Sequence, residues 1–490
     1  MNTINYSKIS EALASLPSDH DASGEYKPTV DEIFAPQQHA NALDPYTTIV
    51  VGARGTGKSF WAGVLAQKDT RDVAAQSYPN LGLEKLLVAE GYNGFLSTRI
   101  LQELVPEGQE SKKSYEFWQA SIIMAIDRMI AEEKGVKFKE KLSDYIKRYS
   151  DPEDADLYLS DLDDKLEEDE KTVLITFDAL DKLSKDWSRS NLLLDSLFEV
   201  VWDLRIRKRI RAKIFIRPEQ FNDDSLKFVE IPKLRSSRVE LEWTQIELYG
   251  LLFSRLGYDQ SKNADEFLKV AKSIGAPFKP LPHKQRRNWN LVSDKKIQKD
   301  MMTALAGPYM GKNFKKGGTY DWPYKHLADA NGDVTPRSFL KLFSEAGKFG
   351  SLLQDRAISA EGIRHGLREA SKVRVEQLVV EYQWVKRALA PLAGLRVPCT
   401  EEDILSRWED SNTIEVIMNA SQSDSGGFLP PYPYPLYKKL KGEAKLSALA
   451  DSMAKIGLFE IRADGRFDIP DLFRVAAKML KKGGITPTAK

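Results

Sequence analysis

The chain has 490 residues, room for about three domains of ordinary size, and 42% of them are hydrophobic, enough for packed cores. Its 72 Lys and Arg stand against 71 Asp and Glu, a formal net charge of +1, so no whole-molecule field draws it to nucleic acid or membrane and such binding must come from local patches. The single cysteine, Cys399, excludes an internal disulfide and a multi-cysteine metal site, and the five histidines show no H-E-x-x-H spacing, so a zinc enzyme is not expected.

The start, Met1-Asn-Thr-Ile-Asn-Tyr-Ser-Lys, lacks the basic and apolar regions of a secretory signal, and no stretch reaches the ~20 apolar residues of a membrane span. The expectation is a soluble, cytoplasmic protein with no membrane partner. Residues 1–44 are polar, carry no strong period and read as a lead-in segment. Thr47-Thr48-Ile49-Val50-Val51 is a β-branched run suited to a buried parallel strand; glycines follow at once, then Ser59-Phe60-Trp61-Ala62-Gly63-Val64-Leu65, which suits a helix. The acidic tract 151–170 reads as a solvated helix. It precedes Thr172-Val173-Leu174-Ile175-Thr176-Phe177, a buried strand ending in Asp178, and residues 191–202 then have helical length and apolar rows. Ala212-Lys213-Ile214-Phe215-Ile216, ending in Arg217-Pro218, is a further buried strand. Strands alternating with helices imply βαβ units and an α/β fold with a parallel sheet. Residues 238–243 alternate like an edge strand, Thr244 is placed to cap a helix from Gln245 to Leu256, and the sheet domain, 45–257, ends near Gly257.

Residues 258–350 read as a helical lid with a basic, glycine-rich surface loop over 279–316, and 351–420 as a helical connector with a long helix around 373–389. The breaker cluster at 421–435, which includes Pro430-Pro431-Tyr432-Pro433-Tyr434-Pro435, opens a C-terminal unit, 421–490. In it, 444–456 has an amphipathic helical pattern, two alternating runs flank Asp464-Gly465 as a hairpin, and 471–480 reads as another helix. That order resembles the end of a winged helix-turn-helix.

The strongest chemical signal is Gly52-Ala53-Arg54-Gly55-Thr56-Gly57-Lys58-Ser59, a complete G-x-x-x-x-G-K-[ST] pattern between a strand and a helix. Glycines let the loop curl so that backbone N–H groups face phosphates, the helix N-terminus adds positive potential, Lys58 reaches the β/γ oxygens and the Ser59 hydroxyl can ligate Mg²⁺. ATP and Mg²⁺ are therefore the expected ligands. Asp178, at the tip of what is expected to be the neighbouring strand, is the natural partner of Ser59 in holding Mg²⁺, the other reading being a strand-ending turn residue. Asp181 either orients the attacking water or caps a helix.

Gly52 to Ser59 together with Phe177-Asp178-Ala179-Leu180-Asp181-Lys182-Leu183 resembles the ASCE class of P-loop ATPases, nearest to the bacterial STAND and KAP-like, AAA-related branches. Their next strand often ends in Arg-Pro, and the resemblance implies that Arg217 senses the γ-phosphate. Thr335-Pro336-Arg337-Ser338-Phe339-Leu340 is similar to the sensor segment of their helical lid, which implies that Arg337 closes on the phosphates. A solvated strand end and a surface helix start are the competing readings of the two arginines. One departure stands out: Ala179 occupies the place where these families carry the catalytic acid, which implies slow hydrolysis, suited to a switch rather than a motor.

Local basic patches supply the candidate nucleic-acid contacts. Arg205 to Lys213 is dense, but spans a helix end and a strand entry, where cations suit the helix dipole. Lys284, Arg286 and Arg287, with Trp289, Lys295, Lys296, Lys299, Lys312, Lys315 and Lys316 nearby, mix cations with an aromatic as phosphate-backbone binders do. The expected wing carries Arg462 and Arg466 among Glu460, Asp464 and Asp468, a mixed charge compatible with packing or DNA.

The sequence thus points to an ATP-hydrolysing molecular switch whose nucleotide state controls assembly, as a homo-oligomer or with a protein partner, or engagement of DNA. The family resemblance adds genome maintenance and anti-phage defence as settings. Two other classes stay open: a DNA-binding regulator in which nucleotide is mainly structural, and a phosphotransferase, for which no acceptor pocket is identifiable.

Overall fold

Ile49, Val50 and Val51 form a three-residue strand, β1 (Ile49–Val51), whose successive side chains enter opposite cores. Ile49 and Val51 join Val173, Ile175, Phe177, Ile214 and Ile216 in one layer. Val50 joins Leu174, Phe215, Leu241 and Trp61 in the other. With both faces covered, the strands are apolar at nearly every position, which is why they read as continuous runs.

The computed structural model describes residues 4–17, 27–94, 96–184, 186–222, 226–258, 263–279, 286, 288–350, 353–423 and 440–487. Two units follow from its packing: Asp21–Leu241, and Met1–His20 together with Glu242–Lys490. The helix α1 (Tyr6–Ala14) thus belongs to the second unit, whereas the rest of the lead-in joins the first. There Ile33, Ala42 and Leu43 sit in the Val50 core, Trp61 Nε1 donates to His39 Nδ1 (3.1 Å), and the Tyr78 hydroxyl donates to the Pro36 carbonyl (2.6 Å). The expected lead-in is therefore divided between two cores.

In the first unit β1 is joined by β2 (Leu86–Tyr92), β3 (Thr172–Phe177), β4 (Ile210–Ile216) and β5 (Val239–Glu240). Every pairing is parallel and the order is β2-β3-β4-β1-β5. This is the α/β architecture expected, with β5 as the edge strand. One expectation needs correction: the strand that ends at Asp178 is not the direct neighbour of β1, because β4 lies between them. Periodicity specifies that a strand is buried on both faces; it does not specify strand order. The helix α2 (Lys58–Ala66) follows the glycine-rich loop. Between β2 and β3 the chain inserts α3 (Glu110–Glu133) and α4 (Pro152–Glu168), elements around a strand, β2, that the sequence reading left unassigned. The indole of Trp118 on α3 donates to the Leu193 carbonyl of α5 (Trp187–Asp203) at 2.8 Å, fixing the insertion on the sheet's helical cover.

The second unit starts earlier than expected, at Glu242 instead of after Gly257, so that α6 (Gln245–Tyr258) is part of it. Thr244 does cap this helix: its N–H and hydroxyl meet the Glu247 carboxylate and its hydroxyl accepts from Glu247 N–H. The basic stretch 279–316 is not the loop expected throughout. It contains α7 (Lys295–Ala306), whose Met301, Met302 and Leu305 are buried while Lys295, Lys296 and Lys299 face outward, a helical period hidden by the lysines. α8 (Pro336–Lys348) and α9 (Ala360–Glu381) follow, and α1 packs on α8 through Ser10 Oγ to Gly347 O (2.9 Å) and Ser344 Oγ to Ala14 O (3.1 Å).

Toward the C-terminus come β6 (Arg396–Val397), α10 (Glu401–Asp410), α11 (Glu443–Lys455) and the antiparallel hairpin β7 (Glu460–Ile461) and β8 (Phe467–Asp468). The hairpin stands where it was expected. Its third partner comes from the expected connector, since Cys399 and Phe467 exchange both backbone hydrogen bonds (3.0 and 2.8 Å). The helix expected over 471–480 is a correction: it lasts only from Asp471 to Arg474 before the chain turns into β9 (Leu480–Lys481), which pairs with β6. Arg474, fully buried, holds Asp471 Oδ1, the Met479 carbonyl and the Ile485 carbonyl, and so folds the segment back on itself. The breaker cluster lies outside the described residues from 424 on; residues 421–423 end the helix Thr413–Ser423. Among the described residues, no helix is long and apolar enough to cross a membrane.

A candidate nucleotide site at the strand tips

The site is built where β1, β3 and β4 end. Gly52 continues the ladder beyond β1, its N–H donating to the Ile216 carbonyl (3.1 Å), and the loop then turns. A Cβ on Gly52 would stand 2.6 Å from Thr56 Oγ1, so the first position of the motif needs glycine for space. Gly57 needs it for conformation: φ is +106° at the residue that starts α2. The Thr56 hydroxyl donates to the Ala53 carbonyl (2.8 Å) and closes the curl. Lys58 and Ser59 are thereby placed on the first turn of α2, at the positive end of its dipole.

Lys58 Nζ donates to the carbonyls of Gly52 (2.6 Å) and Ala53 (3.1 Å). Burial and the neighbouring Arg217 charge lower its pKa to about 8, against the pull of Asp178, Glu219 and Asp181. The Ser59 hydroxyl hydrogen-bonds the Asp178 carboxylate, which also accepts from Ala179 N–H; burial nevertheless raises the Asp178 pKa above the ordinary carboxylate value. Asp178 N–H is tied to the Tyr92 carbonyl (2.8 Å), so β2 and β3 together fix this carboxylate. Ala179 then adopts φ 54°, a left-handed conformation that costs a non-glycine residue on the order of 1–2 kcal/mol and turns the chain sharply enough to bring Asp181 back toward the loop.

Asp181 sits inside the short turn Leu180–Lys182, not at a helix N-cap; Asp186 caps α5 instead. Its Oδ2 lies 2.9 Å from Arg217 Nη2. Burial works against its charge, but Arg217 and Lys58 outweigh this and hold its pKa below the usual carboxylate range. Arg217 is not a solvated strand end: its side chain is only 11% exposed, at the tip of β4. On its other side Glu219 Oε1 approaches Nη1 at 4.0 Å, the glutamate being 16% exposed. Sequence reasoning passed over Glu219. Its signal was Arg217-Pro218-Glu219 directly after a buried strand, which becomes legible only once β4 is known to lie between the phosphate loop and Asp178. The structure therefore brings together Lys58, Ser59, Asp178, Asp181, Arg217 and Glu219. Arg54, on the loop, adds positive potential at Asp181. Arg337 belongs to the second unit, on the first turn of α8, whose N-cap Thr335 accepts from Ser338 N–H.

The donor set fits a hard cation. Ser59 and Asp178 offer only oxygen, the preference of Mg²⁺, which takes one or two protein ligands and keeps waters and phosphate oxygens for the rest. Among the described residues no cluster of three or more His, Cys, Asp or Glu is arranged to hold a metal by itself, as a softer or fully caged ion would require.

A phosphate loop on an inner parallel strand, with an acidic strand tip hydrogen-bonded to its serine, defines a P-loop nucleotide-binding fold. No family model matches the chain, and no curated protein does. Among solved structures it is similar to the Aeropyrum pernix ORC2 protein in its ADPNP-ADP complexes, at 12% identity and a TM-score of 0.39, over 92% of this chain and 93% of that one. The ADP form of the same protein gives 14% identity and a TM-score of 0.33 over the same shares. At that distance the fold is read from this chain's own strand order and loop.

Proposed function

We propose that the chain binds ATP with Mg²⁺ and hydrolyses it slowly, as a switch of the ASCE type whose nucleotide state governs assembly or the engagement of a partner. The observation that supports this most is the Ser59–Asp178 hydrogen bond, which joins the two oxygen donors of a metal site at the mouth of the phosphate loop. Bound Mg²⁺ would supply neutralisation of phosphate charge there. The loop N–H groups orient the phosphates, and Lys58, now on two carbonyls of its own loop, exchanges them for phosphate oxygens. Asp181 is engaged by Arg217, so a carboxylate is free to orient water only when that pair loosens. This supports a slow switch over a motor, and makes Arg217 the group through which the γ-phosphate is sensed. Arg337 is proposed as the lid counterpart.

A helix, a strand from the 396–399 segment, α11 and the β7–β8 hairpin support a winged-helix-like reading of the C-terminal part. Its expected DNA contacts are less favoured: Arg466 pairs with Asp464 (2.7 Å) and Arg462 with Asp468 (3.5 Å) inside the hairpin. Genome maintenance and anti-phage defence remain settings drawn from the family resemblance alone.

The test is ATP turnover and particle mass measured together, with and without DNA, on wild type and Lys58→Ala. Mg²⁺-dependent turnover that disappears in the folded variant, with a nucleotide-dependent change in mass or in DNA binding, is the expected result. Equal turnover in both proteins would remove the ATPase reading, and DNA binding indifferent to nucleotide would favour a regulator with structural nucleotide.

A further inference from the structure

The basic stretch was expected to combine its cations with Trp289. That indole is buried, donating to the Ala276 carbonyl (3.2 Å), and Arg286 stacks on Tyr258 with its guanidinium 4.1 Å from the ring centre. Lys284 and Arg287 lie outside the described residues. The most exposed aromatic among the described residues of this region is a different one. After α7 the chain forms a loop, 307–318, with Phe314 at its tip and 70% exposed.

The base of this loop is braced. Tyr309 and Gly318 form a β-bridge, Met310 N–H donates to the Gly317 carbonyl (2.9 Å), the Thr319 hydroxyl donates to the Gly307 carbonyl (2.5 Å), and Arg364 donates to the Met310 carbonyl. The tip is shaped as well: Asn313 accepts from Lys315 N–H (3.1 Å) and starts the single turn Phe314–Lys316. Residues 311 to 316 are all exposed. Among the described residues Lys312, Lys315 and Lys316 make no ion pair, and from Met301 to Tyr320 the sequence has no acidic residue. Several other cations of the second unit are answered nearby, as these three lysines are not: Arg462 and Arg466 within the hairpin, Arg364 and Arg368 by Glu361, Lys348 by Glu345.

We propose that the 307–318 loop binds single-stranded nucleic acid, with Phe314 stacking on an unpaired base and Lys312, Lys315 and Lys316 meeting the phosphates on either side. A solvent-exposed ring between unpaired lysines matches the alternation of π-face and phosphate along a single strand, and stacking tolerates any base. In a duplex the base faces are covered by their neighbours, so the ring would have no partner. A bilayer surface is a poorer match, because interfacial insertion draws on several apolar residues sharing a face, whereas here the ring stands among lysines, glycine and asparagine.

Fluorescence anisotropy of the full chain with a labelled oligothymidylate of about 20 nucleotides, and with a duplex of equal length, tests this without ATP. The single strand should bind more tightly than the duplex. Phe314→Ala should weaken that binding by roughly tenfold or more, and Phe314→Trp should restore it. Changing all three lysines to Ala should flatten the log–log salt slope by about 2, at roughly 0.7 per phosphate contact. Wild-type binding by Phe314→Ala would overturn the proposal, as would absence of binding at about 50 mM salt or association only with vesicles of anionic lipid. The assay contains no ATP, so a chain that fails to hydrolyse ATP would leave it intact, and Phe314→Ala should turn over ATP as wild type does.

Discussion

Lys58 and Lys213 each present a side-chain nitrogen to two main-chain carbonyls. Lys58 holds those of Gly52 and Ala53, at 2.6 and 3.1 Å; Lys213 holds those of Asp44 and Thr47, at 2.8 and 2.7 Å. Burial lowers both pKa values, to about 8 and about 7. What differs is the charge beyond the carbonyls. Around Lys58 lie Arg217, Asp178, Glu219 and Asp181, whereas Asp44 is the charged group that acts on Lys213. Lys213 is fully buried in the middle of β4 and ties down the turn by which the chain enters β1. Lys58 is partly exposed on the first turn of α2, beside loop carbonyls that it can leave. The same hydrogen-bond pattern thus stabilises a turn in one place and, on the proposed reading, holds a phosphate-binding cation ready in the other.

Four substitutions around the strand tips break this comparison on the side of Lys58. Lys58→Ala should lower ATP turnover most, by roughly a hundredfold to a thousandfold, the usual effect of removing one preorganised electrostatic donor. Its melting temperature should stay near wild type, because the change empties no core. Asp178→Asn should follow, with turnover down about ten- to a hundredfold and nucleotide affinity changed less, since the loop still holds phosphates when the metal's carboxylate is lost. A titration of turnover against Mg²⁺ should shift to higher concentration; an unshifted titration would place the metal elsewhere. Asp181→Asn and Arg217→Ala should each slow turnover by about tenfold, and the double variant by little more than either, because the two side chains act as one pair. Additive losses would show that they serve separate steps.

How much of this was legible in the sequence depended on whether the information was local. The phosphate loop, the apolar run before Asp178, the Thr244 cap and the Asp-Gly hairpin are all set by neighbours within a few residues, and each was readable. The position of β4 between β1 and β3 is set by pairing across more than a hundred residues, which no local period carries; with it went Glu219, and the understanding of Asp181 as the partner of Arg217. The end of the helix at Arg474 was hidden for a related reason. A buried arginine holding carbonyls at 479 and 485 is a tertiary tie that overrides the helical pattern of 471–480. In α7, conversely, the period was present but masked by exposed lysines, and composition prevailed over pattern.

Lys213 sharpens the comparison from the other side, since changing it should leave turnover close to wild type and alter stability instead. Its folded pKa, about 7, lies below the ordinary lysine value of 10.5, so between these two pH values the unfolded chain binds more protons than the folded one. Stability contributed by this residue therefore rises with pH through that window and is level below it, where both states are protonated. The gain is at most about 1.4 kcal/mol per pH unit for a single proton. Lys213→Met keeps much of the volume but cannot donate to the carbonyls of Asp44 and Thr47, so the variant should also be less stable overall, by about 1–3 kcal/mol at pH 9. Urea unfolding of both proteins at pH 7, 8 and 9 separates the two effects, because every other titrating group cancels in the difference. That difference should widen as the pH rises. A constant difference would mean that Lys213 keeps its proton through the window, its carbonyl partners and Asp44 then offsetting the cost of burial.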